Sequence, residues 1–251
     1  MTEFFMTVTD ASMGPMIAVI GCDGSGKSTV SENMVIWAND YGPAATAHLG
    51  KQAGNVGRSL SGLPLVGKFI GRSIGHKKFS LREPRAKNKT PGILAAVIAS
   101  MFTLRRVRRF RRMLALRRDG FILITDRFPQ LDCPNAFDGP VLSEDAQGSF
   151  IVRWLARHER EAFEWMTSYR PDLVIRLNID LDTACARKPD HIRTKLQRKI
   201  EVTPLLKFNG APIVEIDTIQ PLEQVLAEAR EALTDYLIQA MGERSGERPK
   251  T

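Results

Sequence analysis

The chain has 251 residues, 43% of them hydrophobic and 25% charged, ordinary proportions for a soluble globular protein with one sizeable core. Cys22, Cys133 and Cys185 are scattered and show no CxxC or Cys/His spacing, so the pattern excludes a disulfide framework or zinc module and predicts a reduced, cytoplasmic protein. The net charge of +8 is uneven: residues 51–120 hold 18 Lys/Arg against two acids, a local +16, leaving −8 for the remainder.

Residues 1–15 read as an N-terminal extension without the basic-then-apolar order of a signal peptide. An apolar run at 16–20 predicts a buried strand, followed by a glycine-spaced loop and a helix over 27–39. A second strand is expected at 45–49. The stretch 51–90 is rich in Gly, Ser and Lys and lacks sustained periodicity, and it reads as a basic insertion. From Pro91 the pattern turns helical, with Leu104, Val107, Phe110 and Leu114 three or four apart and arginines on the other faces. The apolar run that opens this helix, 91–102, is short of the roughly 20 residues that span a bilayer.

Residues 120–128 predict a buried strand ending in the acid–base pair Asp126–Arg127. A helix over 144–169 follows, with Trp154, Phe163 and Trp165 as core. Then come a strand at 171–179, helical residues 182–200 broken near Pro189, a last strand at 211–217 and a helix over 221–241. Residues 242–251 are polar and read as a disordered tail. Strands alternating with helices predict an α/β fold: a three-layer α/β/α P-loop NTPase domain over 16–241, built on a five-stranded parallel sheet.

Gly21, Gly24, Gly26, Lys27 and Ser28 satisfy G-x-x-x-x-G-K-[ST] between a strand and a helix, the context this motif requires. Residues without Cβ let successive backbone N–H groups curl around phosphates, and the helix N-terminus adds positive potential. The pattern therefore predicts ATP bound by Gly21, Asp23, Gly24, Ser25, Gly26, Lys27, Ser28 and Thr29. Lys27 should bridge the β- and γ-phosphates, and the Ser28 hydroxyl should hold Mg²⁺. No guanine-reading NKxD occurs, which counts against a GTPase.

Three segments together resemble the thymidylate kinase family of nucleoside monophosphate kinases: "GCDGSGKST", "ITDRF" and "RPDLVIRLNIDLDTACARK". The resemblance implies ATP-dependent phosphorylation of a small-molecule acceptor and, since that family is commonly dimeric, a homodimer. It implies that Asp23 bonds a sugar hydroxyl of the acceptor, that Asp126 sits near Mg²⁺ and the attacking phosphate, and that Arg127 binds the acceptor's phosphate. The loop has no arginine of its own. Arg187 would therefore swing in with a lid over about 183–200 to neutralise the transferring phosphoryl group, with Arg193 and Arg198 as further candidates.

The departures all lie on the acceptor side. The family's REPGG segment is absent after the second strand, although Arg82-Glu83-Pro84 stands some 30 residues further on. Its A[YF]QG segment reads "AFDG" at 136–139, with Asp138 for glutamine. Counting back from Asp126 puts Arg105 in the family's base-contacting position.

Three readings follow as expectations. One is a kinase whose acceptor is a nucleoside monophosphate such as dTMP. Another is a kinase of the same fold acting on a sugar or lipid-linked glycan, with residues 51–120 resting on an anionic membrane surface. The third is a nucleic-acid-binding ATPase whose arginine helix tracks phosphates, against which the scarcity of aromatics among the arginines counts.

Overall fold

The computed structural model describes residues 13–49, 92–133, 136–142 and 149–246. The basic stretch 51–90, with Arg82-Glu83-Pro84, lies outside the described residues, as do 1–12 of the extension and 247–251 of the tail. Five strands, β1 (Met16–Gly21), β2 (Ala44–His48), β3 (Ile122–Asp126), β4 (Leu173–Asn178) and β5 (Ile213–Asp217), form one parallel sheet in the order β2-β3-β1-β4-β5. Among the described residues the α-helices are α1 (Lys27–Ala38), α2 (Ile93–Arg118), α3 (Phe150–Thr167), α4 (Leu181–Arg187), α5 (Arg193–Val202) and α6 (Leu222–Gly246).

The layers follow from strands that are apolar on both faces. Met16, Ala18 and Ile20 of β1 join a core with Phe110, Met113 and Leu114 of α2 and Phe163 and Met166 of α3. Ile17 and Val19 face the other way, toward Val30 and Met34 of α1 and Val225, Ala229 and Leu233 of α6. This is the expected three-layer α/β/α P-loop fold. The order reverses at β1, whose neighbours are β3 and β4, so the crevice beyond its carboxyl end is where an open α/β sheet takes a ligand.

Two helices differ from expectation. In α2, Phe110 and Leu114 are buried as predicted, but Leu104 is half exposed, because the inward face runs through Ala96, Ala99, Thr103 and Arg106. The arginines do not all point outward: Arg106 and Arg117 are buried. Helix α3 starts at Phe150, where the Ser149 hydroxyl accepts from the Val152 N–H at 3.4 Å. Phe163 is core and Trp165 is partly buried, whereas Trp154 is half exposed. The buried stripe of α3 runs Val152, Ala156, Glu159, Phe163, Met166, and Trp154 stands on the opposite side.

Arg117 closes the far end of the sheet. Its Nε donates to the Gly14 carbonyl at 2.9 Å, and its Nη2 donates to both Asp172 oxygens at 3.1 and 2.9 Å. Asp172 also accepts from the Met16 N–H at 2.7 Å, so one ion pair stitches α2 to the starts of β1 and β4. Removing one partner of a buried pair strands the other, and Asp172 retains some access to water that softens the cost. Arg117→Ala should therefore destabilise the fold by about 2–3 kcal/mol, which at this chain length lowers the thermal midpoint by roughly 5–10 °C. A melt unchanged from the parent would contradict that role.

Candidate functional site

The glycine loop leaves β1 and folds onto one carbonyl. The Cys22 oxygen accepts from the Ser25 N–H at 3.2 Å, the Ser25 hydroxyl at 2.9 Å and the Lys27 ammonium at 2.6 Å. Gly21 has no room for a side chain: a Cβ there would lie 2.6 Å from the Leu177 oxygen and 2.5 Å from Ser25 Oγ. Gly26, the residue before α1, has φ 85°, a left-handed conformation that glycine adopts without penalty. No acid occupies the first turn of α1, so nothing cancels the positive potential of its N-terminus, and Ser28 and Thr29 are exposed there.

Lys27 is buried, and that burial, followed by repulsion from Arg127, brings its ammonium down from 10.5 to about 8 against the attraction of Asp23, Asp126 and Asp138.

The other half of the site is the carboxyl end of β3. Register pairs Asp126 with His48 of β2, whose Nδ1 lies 3.4 Å from Asp126 Oδ2. Asp126 Oδ1 is buried and has no hydrogen-bond partner among the described residues. Arg127 follows with φ 73°, a strained conformation for a residue with a Cβ, while its N–H donates to the Val19 oxygen at 3.0 Å. The twist carries its side chain back toward the loop. There Nη2 meets Asp23 Oδ1 at 2.9 Å and Nη1 meets Asp138 Oδ2 at 3.4 Å.

Asp138 is held in turn by Arg106, which donates to its carbonyl at 2.9 Å and to its Oδ1 at 3.1 Å. At the other end, Asp23 Oδ2 accepts from the Lys199 ammonium of α5 and lies 3.5 Å from His191 Nδ1. The result is a chain of alternating charge, Arg106–Asp138–Arg127–Asp23–Lys199. Burial disfavours the Asp23 carboxylate, but the charge and hydrogen bond of Lys199, with Arg127 behind them, outweigh it and hold the group well below the usual carboxylate range. Asp138, against desolvation, pushes the Arg127 guanidinium above its ordinary value, with Asp23 and Asp126 adding to the effect.

Two buried side chains fix the 136–142 loop that carries Asp138. Gln130 donates to the Phe137 and Cys133 oxygens at 3.0 and 3.1 Å. Glu159 of α3 accepts from the Val141 and Leu142 N–H groups at 3.0 and 2.7 Å, and from the Thr103 hydroxyl at 2.8 Å.

Lys27, Asp126, Arg127 and Asp23 are thus brought together. Arg187 of α4 reaches the edge of the loop, where its Nη1 donates to the Gly24 oxygen at 3.2 Å and its Nη2 to the Thr218 oxygen at 2.8 Å. Arg193 pairs with Asp182 at 2.8 Å, Arg198 is exposed, and Arg105 is also exposed; its neighbour Arg106 is the one that enters the corner. The segment expected to act as a lid folds as α4 and α5. Sequence reasoning missed Lys199, His191, His48 and the hub role of Asp138. Only His48 had a local signal, since it ends β2 beside the end of β3.

A divalent cation fits the donor set. The Asp126 oxygen, without a partner among the described residues, and the exposed Ser28 hydroxyl are hard oxygen ligands. Mg²⁺ is held by one or two such protein oxygens and completes its shell with phosphates and water, so these two would suffice for it.

No protein-family model matches the chain. It is 38% identical over 234 residues to the uncharacterized ATP-binding protein YghS of Escherichia coli K12, covering 93% of this chain and 98% of YghS. To the uncharacterized ATP-binding protein YghR of the same organism it is 38% identical over 220 residues, covering 87% of this chain and 86% of YghR. Identity at that level over nearly the whole of both proteins shows common descent: the chain belongs to the family of YghS and YghR.

Proposed function

We propose that this protein is an ATP-dependent phosphotransferase that moves the γ-phosphoryl group of ATP to an acceptor seated at the Asp126–Arg127 corner. The observation that carries the reading is the convergence of three groups at one crevice: the Lys27 loop, the Asp126 oxygen that lacks a partner among the described residues, and the strained, ion-paired Arg127. The relatives' description as ATP-binding supports the donor half. Phosphoryl transfer needs positioning and charge neutralisation, with no covalent nucleophile on the protein.

In this reading the loop amides hold the phosphates. Lys27 exchanges the Cys22 oxygen for the β- and γ-phosphates. Ser28 and Asp126 would hold Mg²⁺, which when bound supplies further neutralisation of the triphosphate. An acceptor oxygen then bonds to the γ-phosphorus as the bond to the β,γ-bridging oxygen breaks, leaving ADP. Where the acceptor is an alcohol, its proton passes to the Asp126 carboxylate.

A nucleoside monophosphate such as dTMP would bond Asp23 through a sugar hydroxyl and Arg127 through its phosphate. Charge balance favours a second class, a sugar or lipid-linked glycan whose reacting group is neutral. Arg127 is already flanked by Asp23 and Asp138, Arg106 by Asp138 and Lys199 by Asp23. A phosphate dianion entering there must displace a carboxylate, whereas hydroxyls can bond to these groups without disturbing the pairs.

ADP release measured over nucleoside monophosphates, free sugars and lipid-linked glycans tests the assignment. Stimulation by hydroxyl compounds favours the neutral acceptor, stimulation by monophosphates alone restores the nucleotide reading, and a flat response across all of them contradicts both.

The depressed Lys27 titration also gives a pH signature. Phosphate contact favours the ammonium, so the bound-state value is higher than the free-state value of about 8. ATP affinity should be level below pH 8 and weaken as pH rises through it, by up to about tenfold per unit. The folded chain holds fewer protons than the unfolded one between about 8 and 10.5, so stability without nucleotide moves the opposite way and rises across that window. Calorimetric titrations and melts at pH 7, 8 and 9 separate the two trends. Affinity that does not weaken between pH 8 and 9 would contradict the Lys27–phosphate contact.

A further inference from the structure

The outward faces of α2 and α3 expose apolar side chains that belong to no core among the described residues. On α2, Ile93, Val97, Met101 and Leu104 recur at intervals of four, four and three residues and are each 40–51% exposed, so they form one stripe. Helix α3 lies alongside, with its buried Val152 and Ala156 packed with Ala96 and Ala99 of α2. Its own outer face carries Phe150 and Trp154, 74% and 50% exposed. Large exposed apolar groups lined up along the α2 stripe mark a docking surface.

Charge identifies what docks. Further along the same side of α2 the apolar stripe gives way to Arg105, Arg108 and Arg112, all exposed. The whole helix contains eight arginines and no Asp or Glu. The first half of α3, through His158, adds exposed Arg153 and Arg157 and again no acid. A second copy of the chain apposed across the arginine half of α2 would set arginine against arginine, a repulsive contact.

An anionic bilayer meets both halves of the face. Its acyl boundary takes the apolar stripe and an indole, and its phosphates take the guanidinium groups. Among the described residues no helix is long and apolar enough to cross a membrane, so the contact is peripheral. We propose that the α2–α3 face docks this protein on an anionic lipid surface. From the inward side of α2, Arg106 reaches Asp138, which ties the docked helix to the acceptor corner.

Flotation of the full chain with vesicles tests this apart from any catalysis. Vesicles of equal phosphatidylcholine and phosphatidylglycerol should carry the protein upward at low salt, less so at high salt, and phosphatidylcholine alone should not. The double variants Leu104→Glu/Trp154→Glu and Arg108→Glu/Arg112→Glu should each reduce partitioning by about tenfold or more. Their melting behaviour should match the parent because all four side chains are exposed. If one variant melts early, the other decides.

Absence of flotation would overturn the proposal, as would undiminished flotation of both variants, which would assign lipid binding to residues elsewhere. A parent dimer that the variants convert to monomer without loss of lipid binding would make the face a contact between copies. Tighter binding to an oligonucleotide than to the anionic vesicles would make it a nucleic-acid surface.

Discussion

Replacing Lys27 by alanine should abolish measurable phosphate transfer, a loss of about a thousandfold or more, and weaken ATP binding by roughly 10- to 100-fold. The expectation follows from where the ammonium sits. It is buried, it hydrogen-bonds a loop carbonyl that Ser25 also serves, and its charge is held there at a desolvation cost. The folded chain gains little from that charge without nucleotide, so the variant should melt within a few degrees of the parent. Lys27→Arg should not rescue it, because the planar guanidinium is too wide for a cleft shaped around a single ammonium. Retained turnover in Lys27→Ala would remove the loop from the reaction.

The second large effect concerns Asp126. Asp126→Asn should lower transfer by about 100- to 1000-fold while leaving nucleotide binding near the parent value. It should shift the melting midpoint by only a few degrees, because Oδ1 has no partner among the described residues to lose, and the Asp126 charge ranks behind Asp23 at Lys27 and behind Asp138 and Asp23 at Arg127. That pairing of results separates a catalytic carboxylate from an ordinary strand-end ion pair, whose loss would appear in the melt. His48→Ala is the control. It removes the ring beside Oδ2 and should cost transfer less than about fivefold, since His48 is half exposed and stands on the outer side of Asp126. A normal rate in Asp126→Asn would leave the acceptor corner without its central group.

Much of this architecture was legible in the residues themselves. The strand–loop–helix at 16–38 could be read because the phosphate-binding curl demands glycine where a Cβ would collide, as at Gly21, and a lysine at one fixed offset. The parallel sheet followed from strands apolar on both faces, and β3 ended at Asp126 because the buried run stops at the first ionised group.

What escaped was set by distance along the chain. Lys199 meets Asp23 across 176 positions, and Arg106 meets Asp138 across 32. No local pattern foretells which arginine of a helix with eight will turn inward. That choice depends on the phase of α2 against α3, which its small buried residues Ala96, Ala99 and Thr103 decide. Trp154 misled for a related reason: an indole weighs heavily in a hydrophobic reading, yet Glu159 holds the buried stripe of α3 because it serves two loop N–H groups and a hydroxyl.

Asp138 stands where the pattern expected from the sequence has glutamine, and it pairs with both Arg106 and Arg127. A neutral glutamine there would take an ion pair from each of those arginines and leave the corner more positive.

The most direct measurement of the central claim follows the γ-phosphate itself. ATP labelled at that position is incubated with the protein, Mg²⁺ and a panel of nucleotides, sugars and lipid-linked glycans, and the products are separated. Label should appear on one class of organic acceptor, in step with ADP, and be lost in both Lys27→Ala and Asp126→Asn. Label found only as inorganic phosphate, or left in ATP throughout the panel while ATP demonstrably binds, would contradict that claim.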